Sequence, residues 1–128
     1  MTIREMCDAF DVTPRTLRFY ESKELLAPIR EGQKRLYTYR DRARLTLILR
    51  GKRYGFSLEE IRQLLDLYGT DNSGQAQTRA AVSIGRKNLA ALQEQRAALD
   101  AAIGDLTRDL EEAEQRLAKI EAASQAAE

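Results

Sequence analysis

Apolar positions in the first part of the chain recur at helical spacing in short blocks, and most blocks open on a side chain able to cap a helix. Thr2-Ile3-Arg4-Glu5 has capping-box spacing and starts a short helix through Met6 and Phe10 that ends in Asp11-Val12. Thr13 can cap the next helix with its hydroxyl, and Pro14 suits a first helical position, where no donor is needed and φ is already set. On that helix Leu17, with Tyr20 or Glu21 three and four positions on, can dock it, while Arg15, Thr16, Arg18 and Phe19 fill the rest of its circumference. Two short helices joined by a three- or four-residue turn have the helix-turn-helix pattern, whose second helix enters the major groove. Taken alone, the second helix reads equally well as a surface helix with solvated arginines.

The next segment changes the balance. Pro28-Ile29-Arg30-Glu31-Gly32-Gln33-Lys34-Arg35-Leu36-Tyr37-Thr38 passes from apolar to turn-like to alternating basic, apolar and aromatic, which predicts a small β-hairpin around Gly32 with Lys34 and Arg35 on it: a wing. Thr38 or Tyr39 then begins a third helix with Asp41 in its first turn and Leu45, Ile48 and Leu49 as its apolar stripe. Gly55 sits where a glycine would end that helix. Ser57-Leu58-Glu59-Glu60 is another capping box, opening a fourth helix with Ile61, Leu64, Leu65 and Tyr68 on its buried side.

The second half follows a different rule. From Thr78 to Ala123 there is no proline, and apolar residues fall on two seven-residue series: Val82, Leu89, Ile103, Leu110 and Leu117, with Leu92, Leu99, Leu106, Ala113 and Ile120. Arg96 stands where the first series calls for an apolar residue, and Gly85 opens the second weakly, so the seam is firm from Leu89 onward. Forty-odd residues at ~1.5 Å each make a rod roughly 65 Å long, which cannot bury its stripe against so small a domain. The simplest partner is a second copy, with Leu89, Leu92, Leu99, Ile103, Leu106, Leu110, Leu117 and Ile120 as the dimerisation residues. Arg96 either specifies register or snorkels past the seam edge. The expected organisation is mainly α: a winged helix-turn-helix DNA-binding domain over residues 1–69, a linker over 70–77, a long coiled-coil dimerisation helix over 78–123 and a disordered tail over 124–128.

Charge sharpens this division. The net charge of +1 conceals 14 Lys and Arg against 9 acids in residues 1–63, and 7 against 11 in residues 64–128. Arg30 to Arg53 holds nine bases and two acids, so a phosphate backbone would meet a concentrated positive field there. A solvated charged face accounts for many of these arginines singly, but less well for their one-sided distribution. Zero His and one Cys exclude the usual zinc-ligand sets, a disulfide within one chain and the commonest general base. Cys7, beside Met6, reads as a small buried hydrophobe. The glycines are too scattered for a phosphate-binding loop. No catalytic residue, metal site or cofactor is therefore assigned. With no secretory signal and no membrane-length apolar run, the expected location is the cytoplasm, with no membrane partner.

Thr13 to Glu21, Leu25-Leu26 with Pro28, Arg35-Leu36-Tyr37, Asp41 with Arg44-Leu45, and Gly55-Phe56-Ser57-Leu58-Glu59-Glu60-Ile61 together resemble the winged-helix signature of the MerR family of transcription regulators, in order and without gaps from residue 2 to about 68. The runs Arg40-Asp41-Arg42 and Leu47 to Arg53 are most similar to the branch controlling branched-chain amino-acid (leucine and isovalerate) catabolism. The resemblance implies a homodimer with antiparallel long helices on a pseudo-palindromic operator in double-stranded DNA. Such a dimer acts with RNA polymerase at the promoter by bending and untwisting the duplex. On matching positions Arg15, Thr16, Arg18 and Tyr20 would be helix contacts and Arg35 and Tyr37 wing contacts. Arg18 is the candidate base reader, because a guanidinium pairs bidentately with guanine. Thr13 can contact phosphate as well as cap, while Tyr20, Lys34, Arg35 and Tyr37 would grip phosphates and set register. Arg42 is either a further backbone contact or a solvated helix residue, and Tyr39 is expected to pack.

The chain departs from the metal-sensing and redox-sensing members in lacking cysteines at the start of the long helix and near the C-terminus. It also ends in the Ala-rich segment 122–128 rather than in a drug-binding domain. If the catabolic-branch resemblance holds, it implies a small-molecule effector, an acyl-CoA or related intermediate, bound between rod and DNA-binding domain, with Tyr68 to Gln75 as a moving part. The alternative is regulation without any small molecule. A reading from another class also stands: a coiled-coil adaptor whose basic front binds RNA, DNA nonspecifically or an acidic protein.

Overall fold

The computed structural model describes residues 1–68 and 74–127, apart from the side chain of Tyr68. Expectations about that side chain, about Gly69 at the end of the expected domain, about linker residues 70–73 and about Glu128 lie outside the described residues. The elements are α1 (Ile3–Phe10), α2 (Pro14–Ser22), β1 (Ile29–Glu31), β2 (Lys34–Leu36), α3 (Tyr39–Arg53), α4 (Leu58–Tyr68) and α5 (Gln75–Ala127). They form two units, residues 1–88 and 89–128.

In the first unit, local chemistry sets nearly every boundary. Thr2 and Glu5 close a reciprocal capping box on α1, as Thr38 and Asp41 do on α3, and Ser57 and Glu60 bond reciprocally ahead of α4. Asp11, at φ 54°, ends α1, and the positive φ of 82° at Gly55 follows α3, a conformation glycine adopts without a Cβ penalty. Gly32 and Gln33 make a two-residue turn with Gly32 at φ 62°, and β1 and β2 pair antiparallel with Ile29 opposite Leu36, Arg30 opposite Arg35 and Glu31 opposite Lys34. The chain start adds to this hairpin: Thr2 bridges Leu36, and the Tyr37 N–H donates to the Met1 carbonyl at 2.7 Å.

One core is shared by α1, α2, α3, α4 and the segments on either side of the hairpin. Met6, Leu17, Tyr20, Leu25, Leu26, Tyr37, Leu45, Ile48, Ile61 and Leu65 are buried, with Leu49 and Leu64 half-buried beside or near them. Asp41 lies in this core at 3% exposure. One carboxylate oxygen accepts the Ala27 N–H and the other the Thr38 N–H, both at 3.0 Å, so a single side chain ties both ends of the wing segment to α3. Gly51 lets α3 and α4 approach: a Cβ there would meet Ile61 Cγ1 at 2.9 Å.

Helix α5 is longer at both ends than the heptad pattern predicted. It begins at Gln75 rather than Thr78, with the Gly74 N–H donating to Gln77 Oε1. It runs through the expected tail to Ala127, since alanine carries the highest helix propensity and no Gly or Pro intervenes. Its first turns belong to the domain. Asn88 is buried at 8% exposure; its amide donates to the Ile84 carbonyl at 2.9 Å and to Glu60, which also receives Lys87 Nζ at 3.3 Å. Glu60 thus caps α4 and anchors α5 with one carboxylate. The Ser57 N–H, followed by the Lys87 and Asn88 hydrogen bonds, outweighs burial and holds its pKa below the ordinary carboxylate value.

Asp41→Ala should cost about 3 kcal/mol in urea unfolding, because it strands partly buried N–H donors and removes a cap together. A depressed folded-state pKa means that Glu60 contributes stability above the ordinary carboxylate range and loses it as pH falls through that range and below. Glu60→Gln should therefore be less stable at neutral pH and show a shallower decline in thermal midpoint from pH 7 to pH 3.

Candidate nucleic-acid interface

The surface of α2 follows from how the helix is anchored. Thr13 Oγ1 accepts the Thr16 N–H at 3.2 Å, its oxygen lies 2.9 Å from the Thr16 hydroxyl, and Pro14 occupies the first turn. Leu17 and Tyr20 face the core, so Arg15, Arg18 and Phe19 are directed outward. Neither Arg15 nor Arg18 makes an ion pair among the described residues. Phe19 is 42% exposed, with the Lys23 ammonium 5.8 Å from its ring centre.

The wing is tied to this helix. Arg35 Nε donates to Glu21 Oε2 at 2.7 Å, and Arg30 Nη1 lies 3.5 Å from Glu21 Oε1. Lys34, next to the turn, is exposed. Thr13, Arg15, Thr16 and Arg18 on α2 are thereby linked through Glu21 to Lys34 and Arg35 on β2. A free guanidinium pair on a short helix beside a braced cationic hairpin can read base edges with one element and hold phosphates with the other.

Two expected contacts have rings that lie in the core. Tyr20 is 2% exposed, because it lies three residues from Leu17 on the docking stripe. Tyr37 is 3% exposed and its hydroxyl is covered, without a hydrogen-bond partner among the described residues. Burial raises the pKa of both phenols, with Glu21 adding to the effect at Tyr37. Both rings are core, and a phosphate cannot reach the Tyr37 hydroxyl in this arrangement. Backbone bonds explain the inward position of Tyr37: its carbonyl accepts from Met1 N at 2.9 Å and its N–H donates back to Met1.

Tyr39, expected to pack, is 80% exposed at the first position of α3, off the Leu45–Ile48 stripe. The Arg42 guanidinium lies 5.1 Å from its ring centre, leaving Arg42 half-buried. Not every cation of the first unit is directed outward. Arg44 Nε donates to the Leu25 carbonyl at 2.8 Å, and Arg62 donates to that of Lys23. The sequence reading missed Arg30 and Glu21. Pairing the strands about Gly32 would have found the first, since it sets Arg30 opposite Arg35. Cys7 is half-buried, and burial followed by Asp8 pushes its thiol pKa up despite Arg18, which does not favour a reactive thiolate.

Residues 1–67 match the family described as MerR HTH family regulatory protein, and residues 42–108 match the one described as MerR, DNA binding. The HTH-type transcriptional regulator ZntR of Escherichia coli K12 is 43% identical over 67 residues, covering 51% of this chain and 48% of that protein. The chain thus spans about half the length of that curated relative. Among solved structures, the transcription regulator PbrR691 from Ralstonia metallidurans CH34, in complex with lead(II), is 35% identical with a TM-score of 0.62 over 84% of this chain and 85% of that one. MtaN, the N-terminus of the Bacillus subtilis multidrug transporter activator, is 28% identical with a TM-score of 0.61, over 86% and 97% of the two chains.

Proposed function

The chain belongs to the MerR family of helix-turn-helix regulatory proteins, and from that premise we propose that it is a dimeric, sequence-specific transcriptional regulator, not an enzyme, acting on a pseudo-palindromic promoter operator. The observation that carries this reading is the outward, unpaired Arg15 and Arg18 on a capped helix, beside a wing braced to the same helix. Arg18 reads a base edge, Thr13, Arg15 and Thr16 support it, and Lys34, Arg35 and Arg42 hold backbone. Bending and untwisting of the duplex, with RNA polymerase as the partner at the promoter, complete the proposal.

Dimerisation rests on the seam. The eight apolar residues named for it stand between 37% exposed at Leu92 and 61% at Leu99 in the single chain. Apolar area of that extent along one helix is stabilised by a partner of the same periodicity, and a second copy supplies one.

The signal is a finer question. Lead(II) is a ligand of PbrR691; this chain has zero His, and its one cysteine lies on α1. What supports an acyl-CoA-type effector and a regulon in leucine, isovalerate or acyl-CoA catabolism is the resemblance of the runs Arg40-Asp41-Arg42 and Leu47 to Arg53. None of the relatives described above is named for that pathway. No helix among the described residues is long and apolar enough to cross a membrane. A cytoplasmic location is part of the proposal, since it follows from action on promoter DNA.

Selection of genomic fragments by the purified protein at physiological salt should return a palindromic motif preferred by ~10³-fold or more over random duplex. Recovery without a motif, abolished steeply by salt, would favour the adaptor reading. On the selected site Arg18→Ala should cost about 1–3 kcal/mol and relax preference at one base position, whereas Lys34→Ala should weaken all sequences alike. Leu106→Lys should yield a monomer by sedimentation at concentrations where the native chain is dimeric. CoA esters should raise the thermal midpoint if the effector assignment holds, and no shift at saturation would remove it.

A further inference from the structure

Arg30 and Arg35 face one another directly across the wing, on neighbouring strands in register. Side chains of such a pair leave the hairpin on the same face, and like charges set opposite each other in this way destabilise a two-stranded sheet that is marginal to begin with. Glu21 resolves the conflict. Its two carboxylate oxygens take one arginine each, Oε2 at 2.7 Å from Arg35 Nε and Oε1 at 3.5 Å from Arg30 Nη1. The closer pair is largely covered, with side-chain exposures of 23% for Arg35 and 22% for Glu21. Glu21 itself is poorly placed for its own helix: it lies in the last turn of α2, where the helix dipole disfavours an acid. A residue that local preference rejects and two cross-strand cations require has a tertiary purpose.

We propose that Glu21 is the positioning residue of the interface, a carboxylate clamp that fixes the distance and orientation of the wing relative to the α2 residues that read the duplex. The proposal rests on the DNA-binding reading above and adds a residue that itself bears the wrong charge for a phosphate. The clamp leaves the Nη groups of Arg35 for the duplex while Nε stays on Glu21. It makes helix and hairpin a single unit, so a phosphate held by the wing sets the register of Arg18 over the bases. This separates Glu21 from a mere competitor for the wing arginines, whose removal would free them and tighten binding to any DNA.

The test is Glu21→Gln, which keeps shape and removes charge, with Arg35→Gln and the double variant completing a cycle. Two readouts are taken: the Arg35 Nε–H resonance and its exchange rate in the free protein, and affinity for the selected site and for random duplex across salt. The clamp predicts faster Nε–H exchange in Glu21→Gln with only a small drop in the melting midpoint, since the hairpin it steadies supplies no residue to the core. It also predicts loss of preference for the selected site by about tenfold, the worth of one charged hydrogen bond. Little further loss is expected when Glu21→Gln is added to Arg35→Gln. Tighter binding of Glu21→Gln to every duplex would overturn positioning in favour of competition, and unchanged exchange and preference would overturn the clamp altogether. A native protein that prefers no duplex would instead remove the DNA-binding reading, and the exchange rate would still report on the clamp itself.

Discussion

The arrangement of α2 and the wing depends on one buried carboxylate. Asp41 accepts the Ala27 N–H before β1 and the Thr38 N–H after β2, so the segment that forms the wing leaves and rejoins the domain at a single point on α3. A two-stranded hairpin of three residues a side has little stability of its own. Held at both ends by Asp41, and edged by Met1 and Thr2, it is fixed to the domain whose core also seats α2 through Leu17 and Tyr20. The same carboxylate closes the capping box of α3, so the start of the helix and the closure of the wing are one event.

Much of this was legible in the sequence because it is local. Caps at Thr2, Thr13, Thr38 and Ser57, the proline at position 14 and the glycines at 32 and 55 each act within a few residues, and the corresponding elements stand where those signals put them. What could not be read was decided by long-range packing. Tyr20 and Tyr37 carry polar tips that suit a phosphate, yet the core takes both rings. Tyr39, beside a capping threonine, looked like packing and stands exposed under Arg42. The extension of α5 to Ala127 follows from propensity rather than from the heptad, which had run out at Ala123.

The arginines of the first unit show the same distinction among like residues. Arg44 and Arg62 donate to backbone carbonyls, Arg35 pairs with Glu21 through Nε and Arg30 through Nη1, while Arg15 and Arg18 make no ion pair among the described residues. A count of charges gives a field; the hydrogen bonds show which cations hold the domain together and which face outward. Glu60 plays the corresponding part at the other end of the domain. It caps α4 and takes Lys87 and Asn88 of α5, so the first turns of the long helix are held by the domain itself.

The account is tested most directly by hydroxyl-radical footprinting of the native protein on its selected fragment. It predicts two symmetric protected segments about one helical turn of DNA apart, ~10 bp centre to centre, each with flanking backbone protection from the wing. Continuous protection that ignores sequence, or a single unsymmetrical patch, would contradict a dimeric, sequence-reading interface.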